Sequence, residues 1–264
     1  MGDIASRVPA LSFIDVADLL VFARAGRSEA EGAFATCHCL SLPPSDPGYY
    51  FWRDRQTGQI TRRSEWFVTK SPTVTIGSRP VKYMFSFTLP RFCDQSLDRS
   101  KKEHYYPGVN APWIAKLDTV VHELYHIDPQ LAGIRRLERS DGAYSANCHS
   151  DRFFEQVADM VSEYLDTRPD PSAYDFLRDD FQTLESKFGG VVGSSFRRFP
   201  SYPQRFIEPL TPQPSCDADL ANVEVEPIRQ GRRPQRYTED DLHVRHFSRS
   251  SSERLVRKGA FRAA

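Results

Sequence analysis

The pentapeptide HELYH at positions 122–126 constrains this chain more than any other segment. On an α-helix, residues four apart lie one turn apart on the same side, so the two histidine rings can bind one common ion. The chain contains 7 histidines among 264 residues, and its composition gives a chance expectation of about 0.01 for the pattern HExxH. The motif therefore indicates a metal-binding helix.

The residues around the motif predict a helix over positions 111–128. Asn110 is a favourable N-cap residue, Pro112 lies in the first turn, where its missing N–H is not needed, and Pro129 disfavours helical geometry in the residue before it. One apolar stripe runs along the predicted helix at intervals of three and four, formed by Ile114, Leu117, Val121 and Leu124. We expect this stripe to pack against a sheet, while the two histidines occupy a different face.

Two imidazoles and an adjacent carboxylate have the chemistry of a catalytic zinc site. We expect His122 and His126 to bind Zn²⁺ through nitrogen at about 2.0–2.1 Å. Glu123 is expected to act as the general base, which takes a proton from a zinc-activated water and passes it to the leaving amine. Such a site needs a third protein ligand and an open fourth position.

The third ligand lies outside the motif. The longer pattern HExxHxxGxxH fails, because Pro129 and Ala132 occupy its glycine and third histidine positions, and this excludes the metzincin class. We favour His149, just before a second predicted helix, over Glu155, which lies on that helix. Asp128 and Asp141 are further alternatives.

Elsewhere the pattern of apolar and polar residues predicts a mixture of helices and strands. Helices are expected over residues 11–24, 151–167 and 171–188, the last ended by Gly189. Strands are expected over residues 32–40, 73–76 and 81–89, and in a hairpin that turns at residues 56–58. These elements predict an α+β fold in which a small mixed or antiparallel sheet packs on the HExxH helix.

The cysteines and the hydropathy pattern bear on the compartment. The chain has 5 cysteines without a CxxC pair, which fits reduced thiols. His38 stands between Cys37 and Cys39, but alternate side chains of a strand point to opposite faces, so these three are not expected to share a metal. No run of about 18 apolar residues occurs. We therefore expect a cytoplasmic protein without a membrane segment.

Charge is unevenly distributed, although basic and acidic residues number 35 each. Residues 229–264 hold ten Lys or Arg against four Asp or Glu, and beyond Pro200 proline density rises while hydrophobic periodicity fades. We therefore predict one domain over residues 1–200, and a proline-rich, then basic, largely disordered tail over residues 201–264. Such a tail either stays solvated or docks on nucleic acid or an acidic partner.

The segments TVVHELYHIDPQ and HSDRFFEQVADMV resemble the minimal zincin metallopeptidases of the SprT-like and putative phage metallopeptidase type. In those proteins a third histidine heads a helix of the form His-x-x-x-Phe, and Phe153 stands at the phenylalanine position. The similarity covers roughly residues 10–167. It implies a zincin-like fold, with Glu123 as the base and metal ligands at His122, His126 and His149. The chain departs from the family by an insertion at residues 41–72, by the lack of a zinc ribbon and by the basic tail.

The motif and the resemblance together predict a zinc-dependent metallopeptidase that acts on protein or peptide substrates. The alternative is a non-proteolytic metal-binding interaction module whose basic tail docks on nucleic acid or an acidic partner. A donor that stabilises the transition state would come from Tyr144, His104, Tyr105 or an arginine, and the sequence does not choose among them.

Overall fold

The structure is a computed structural model that describes residues 1–26, 32–40, 50–64, 73–98, 100, 102–108, 111–131, 133–135, 137–138, 144–145, 149–196, 207–209, 223–227 and 236–247. Within these ranges the protein is a mixture of α-helices and small β-sheets, which confirms the predicted α+β class. The α-helices are α1 (Gly2–Arg7), α2 (Ile114–Tyr125), α3 (Asp151–Asp166) and α4 (Phe181–Phe188). No helix in these ranges is both long enough and apolar enough to cross a membrane.

The strands are short, and several of them pair with segments far away in the sequence. In chain order they are β1 (Leu19–Gly26), β2 (Ala35–Cys39), β3 (Tyr50–Asp54), β4 (Ile60–Ser64), β5 (Thr73–Ile76), β6 (Arg79–Pro80), β7 (Tyr83–Pro90), β8 (Leu137–Glu138), β9 (Tyr144–Ser145), β10 (Val191–Phe196), β11 (Ile207–Pro209), β12 (Val223–Pro227), β13 (Arg236–Tyr237) and β14 (Leu242–Phe247).

A three-stranded sheet of order β1-β7-β2 lies next to the motif helix. β1 is parallel to β7 and β2 is antiparallel to it, so the sheet is mixed. The predicted apolar stripe of α2 is buried, with Leu117, Val121 and Leu124 all 0% exposed. These side chains share one core with Cys37 and Phe85 of the sheet. The motif helix and the small mixed sheet therefore contribute side chains to one common core.

The prediction of a helix over residues 11–24 is wrong. Short 3₁₀ turns at Pro9–Leu11 and Val16–Asp18 are followed directly by β1. A dense apolar run of this kind suits either a buried helix or a buried strand. The choice depends on a partner far along the chain, because Leu19 pairs with Tyr83 of β7.

The predicted strand over residues 32–40 is confirmed as β2. Its side chains alternate as expected, because Cys37 and Cys39 enter the core beside α2. His38 faces a second core, where its ring lies 5.9 Å from that of Phe22 and its Nε2 lies 2.8 Å from Ser86 Oγ. Cys37, Cys39 and Cys93 are buried free thiols, as predicted. The hairpin and the strands at residues 73–76 and 81–89 are also confirmed, as β3–β4, β5 and β7.

The predicted helices after residue 110 form with altered bounds. α2 is shorter at both ends than the predicted 111–128, and Asn110 lies outside the described residues. α3 agrees with the prediction to within one residue. The prediction of one helix over 171–188 is partly wrong, because two 3₁₀ turns precede α4 and the Asp180 side chain caps α4 by accepting the N–H of Thr183. Gly189 ends α4 with a φ of 71°, as expected for a left-handed C-cap.

The prediction of a disordered tail is wrong for residues 236–247. β13 pairs with β5, and β14 pairs with β10 along its full length. Phe247 is 5% exposed and belongs to the main core. β11 and β12 likewise pair with β4 and β3 of the hairpin. Short strands whose partners lie far away in the chain leave little signal in the local sequence. Residues 248–264 lie outside the described ranges. The predicted domain boundary at residue 200 stays a prediction.

Candidate metal centre

Two histidines of the motif project from the last turn of α2. His122 lies within the helix, and His126 follows its last residue with φ −69° and ψ −13°, which is still helical geometry. The turn tightens at this point, because the His126 N–H donates to the Glu123 carbonyl at 3.3 Å. The Nε2 atoms of the two histidines lie 3.2 Å apart. The predicted one-turn pairing of the imidazoles is therefore present.

The chain brings His149 to the same point from the start of α3. His149 precedes Ser150, the N-cap residue of α3, and its Nε2 lies 3.1 Å from that of His126. Ligand atoms of the three histidines all lie within 4.8 Å of one another. Among the described residues no other set of His, Cys, Asp or Glu side chains gathers in this way.

The other predicted third ligands that the structure describes, Glu155 and Asp128, do not join this group. Glu155 is exposed on α3. The Asp128 carboxylate accepts the N–H of Gln130 at 3.1 Å in the loop after α2. Asp141 lies outside the described residues. Of the candidates that the structure describes, only His149 lies beside the motif histidines.

The separations of the His126 Nε2 atom from those of His122 and His149 fit a tetrahedral ion. Zinc–nitrogen bonds of about 2.0–2.1 Å at tetrahedral angles place two ligand nitrogens about 3.3–3.4 Å apart. The distances of 3.2 and 3.1 Å found here are close to that value. If each proton sits on Nδ1, the three Nε2 lone pairs face one another, which is the arrangement that a cation satisfies. Within the described residues the Nδ1 atoms of His122 and His126 are buried without a hydrogen-bond partner.

An aromatic side chain from α3 holds the three imidazoles in place. The Phe153 ring is 2% exposed and stacks on His126, with ring centroids 5.4 Å apart. It also meets His122 and His149 edge-on, at 4.8 and 4.9 Å. Close packing of this kind restricts imidazole rotation. The Phe154 ring lies farther out, with its centroid 6.0 Å from that of His122 and 6.1 Å from that of His149, and sequence reasoning missed it.

Burial favours the neutral form of all three imidazoles. It lowers the pKa of His122 well below its usual value, and the nearby His126, Lys102 and His149 lower this pKa further. Burial, followed by His149 and Arg135, lowers the pKa of His126 to about 3. Partial loss of water around the His149 ring lowers its pKa as well, although the residue as a whole is exposed. Neutral imidazole is the form that binds metals.

The Glu123 side chain is 6% exposed and lies between α2 and β2. Its carboxylate accepts a hydrogen bond from the main-chain N–H of Cys37. Burial raises the pKa of Glu123 to about 7, while the Cys37 hydrogen bond and the charges of Lys102 and Arg24 act in the opposite direction. The residue predicted as a base is thus hydrogen-bonded to β2 of the β1-β7-β2 sheet.

The candidate transition-state donors differ in their positions. The Tyr105 hydroxyl donates to Asp151 Oδ1 at 3.3 Å, and its ring stacks on Phe154. His104 is exposed and lies against Tyr105, with ring centroids 3.7 Å apart. The Arg135 guanidinium lies 4.2 Å from the centre of the Tyr125 ring. The side chain of Tyr144 lies outside the described residues.

Sequence reasoning also missed a buried polar group behind the helix. Asp118 is 2% exposed, accepts the Tyr106 hydroxyl at 2.7 Å and forms an ion pair with Lys102. The available signal was a carboxylate one helical turn before His122, beside the apolar stripe of the helix.

Comparison with protein-family models, with curated proteins and with solved structures finds no match to this chain.

Proposed function

We propose that the protein is a zinc-dependent peptidase. The observation that carries the proposal is the meeting of three histidine side chains, two from the end of α2 and one from just before α3, with the buried Glu123 next to His122 in the chain. Three histidines leave a fourth position of a tetrahedral ion open, as catalytic sites require. The substrate class is a protein or peptide.

The residues divide the chemistry among them. His122, His126 and His149 would hold the ion, and Phe153 keeps their rings in place. A bound zinc ion supplies Lewis acidity to a carbonyl oxygen and lowers the pKa of a water molecule. Glu123 takes a proton from the attacking water and delivers it to the leaving amine. The Cys37 N–H restrains the carboxylate that performs this transfer.

Glu123→Gln separates metal binding from hydrolysis. We expect the zinc content of this variant, measured by mass spectrometry of the intact protein, to equal that of wild type. Cleavage of a quenched-fluorescent peptide library should fall by at least about a hundredfold, because general-base catalysis is lost. Glu155→Gln, which removes an exposed carboxylate from α3, is the matched control and should keep full activity. Full activity in Glu123→Gln would contradict the mechanism.

A second candidate is a metal-binding interaction module that does not hydrolyse peptides. The burial of Glu123 and its hydrogen bond to Cys37 favour this candidate, because the carboxylate already has a partner. Wild type that binds zinc yet cleaves no peptide would support it. If the basic tail docks on nucleic acid, the protein should bind a DNA duplex in a salt-dependent way. Deletion of residues 248–264, the last part of this tail, should abolish that binding.

A further inference from the structure

Residues 102–106, which we call the strap, contact α2 and α3, the two helices at whose ends the three histidines lie. Its first and last residues bind α2, which holds His122 and His126. Tyr105, between them, binds the first turn of α3, which begins beside His149. We propose that the strap is a positioning element that sets the separation of His122 and His149. This inference rests on the metal-binding part of the proposed function and is independent of peptide hydrolysis.

The strap is anchored to α2 by two side chains that converge on Asp118. Lys102 Nζ pairs with Asp118 Oδ1 and also donates to Thr119 Oγ1 at 2.7 Å and to the Ala115 carbonyl at 3.4 Å. The Tyr106 hydroxyl donates to Asp118 Oδ2 at 2.7 Å. Because Asp118 lies one turn before His122, holding it fixes the rotation of α2 at the first imidazole.

The contacts of Lys102 and Tyr106 with Asp118 fix the orientation of the strap on α2 and add little to the stability of the fold. The side chains of Asp118 and Lys102 are only 2% and 15% exposed, so both charges are largely removed from water. Buried ion pairs are often no more stable than apolar residues of similar volume. The Lys102 ammonium donates two hydrogen bonds to α2 and forms an ion pair with Asp118 of the same helix, which restricts the orientation of the strap.

Through Tyr105, the strap also contacts α3 next to the metal centre. The Tyr105 hydroxyl donates to Asp151 in the first turn of α3, at 3.3 Å. Its ring stacks on Phe154 at 5.9 Å, and Phe154 lies against both His122 and His149. Loss of the Tyr105 ring would free the start of α3 to move, and His149 with it. His122 and His126 would stay paired, because they share one helix.

The test compares zinc affinity in full-length variants by competition with a chromophoric chelator. Tyr105→Ala should bind zinc about tenfold more weakly than wild type, the size of effect seen for outer-shell partners of metal ligands. Tyr105→Phe keeps the ring and should lose less. The double variant Lys102→Gln/Asp118→Asn removes the buried charges together and should also bind zinc more weakly. Unfolding of each zinc-free variant checks that it folds; if the double variant does not, the Tyr105 variants decide alone.

Tyr164→Phe is the matched control for Tyr105→Phe. The Tyr164 hydroxyl donates to Asp3 Oδ2 at 2.7 Å, so this change also removes a tyrosine–aspartate hydrogen bond from α3, but near the opposite end. It should leave zinc affinity unchanged. The visible spectrum of the Co²⁺-loaded protein gives a second readout. Tyr105→Ala should weaken the absorption typical of tetrahedral coordination as His149 leaves, whereas Tyr164→Phe should not.

The outcomes separate the two proposals. If wild type binds zinc and Tyr105→Ala binds it equally well with the same cobalt spectrum, the strap has no positioning role and the metal site stands. Equal weakening by Tyr105→Phe and Tyr164→Phe would also overturn the inference, since general destabilisation would then explain both. Wild type that binds no zinc would overturn the metal site and the strap inference together.

Discussion

The main-chain N–H of Cys37 donates a hydrogen bond to the carboxylate of Glu123. This contact links β2, which in the described part of the chain is an edge strand of the β1-β7-β2 sheet, to the helix of the metal centre. Both residues are buried, with Glu123 6% and Cys37 7% exposed. A buried N–H without a partner is costly, so the Glu123 side chain has a structural task as well as the proposed chemical one.

Because Glu123 has both a structural and a proposed chemical role, we expect the Glu123→Gln and Glu123→Ala variants to differ in their free energy of unfolding. Glu123→Gln keeps a carbonyl oxygen that can accept the Cys37 N–H, so its free energy of unfolding should stay near that of wild type. Glu123→Ala leaves the N–H unpaired and opens a cavity, and should be less stable than Glu123→Gln by about 1–3 kcal/mol. Urea unfolding of both zinc-free variants measures the difference. Equal stabilities would show that the hydrogen bond to β2 contributes nothing.

Removal of the His149 side chain should lower the zinc content of the protein, whereas removal of the Glu155 side chain should not. Nε2 of His149 lies within the three-histidine group, while Glu155 is exposed on α3. We expect His149→Ala to bind zinc at least about tenfold more weakly and Glu155→Ala to match wild type. Metal analysis after dialysis against limiting zinc measures both. The reverse order would assign the third ligand to the glutamate.

Zinc should stabilise the folded protein strongly. An ion that binds the folded form alone raises the free energy of unfolding by about 4 kcal/mol when its concentration is a thousand times Kd. Thermal unfolding with zinc and with a chelator should show a higher Tm with zinc for wild type. His122→Ala should lose this increase, and His246→Ala, which removes an exposed histidine from β14, should retain it. An unchanged shift in His122→Ala would place the binding elsewhere.

His38 should make stability depend on pH below neutrality. Burial, followed by the charge of Arg24, lowers the pKa of His38 to about 3, from a usual value of about 6.5. Below pH 6.5 the His38 imidazole therefore binds a proton in the unfolded chain but not in the folded chain. The free energy of unfolding falls as the pH falls towards 3. Each pH unit in this range should cost about 1.4 kcal/mol.

His38→Gln provides the comparison for this pH effect. Glutamine does not titrate and can still hydrogen-bond Ser86, so the slope of unfolding free energy against pH between 6.5 and 5 should become shallower. Both proteins are measured by urea unfolding with a chelator present, because the three site histidines then contribute equally to each slope. Parallel slopes would mean that His38 titrates alike in the folded and unfolded chains.

The packing of β14 predicts that Phe247 is a core residue. Phe247 is 5% exposed, whereas Phe188 at the end of α4 is 73% exposed. Phe247→Ala should lower the free energy of unfolding by about 3–5 kcal/mol, and Phe188→Ala should change it by less than about 0.5 kcal/mol. Denaturant unfolding compares the pair directly. A mild effect of Phe247→Ala would argue that β14 is dispensable.

Local sequence was sufficient for the part of the site that one helix carries. The four-residue spacing of His122 and His126 places their rings together wherever the segment is helical, because helical periodicity is a local property. The same holds for the apolar stripe of α2 and for the alternation of Cys37 and His38 on β2. The third histidine was harder to predict, because both His149 and Glu155 were compatible with the pattern and α3 had to be packed before one of them met α2.

Tertiary structure alone decided what depends on distant partners. Residues 19–26 form a strand because β7 pairs with them, and residues 242–247 do so because β10 lies alongside. Neither pairing is visible in a local window, since a strand makes its hydrogen bonds with another segment and a helix makes them within itself. The contacts of the strap with α3 and the hydrogen bond between Cys37 and Glu123 also join residues far apart in the chain. Sequence therefore determined the two-histidine helix, and the packing of α2, α3 and β2 decided the third histidine and the surroundings of Glu123.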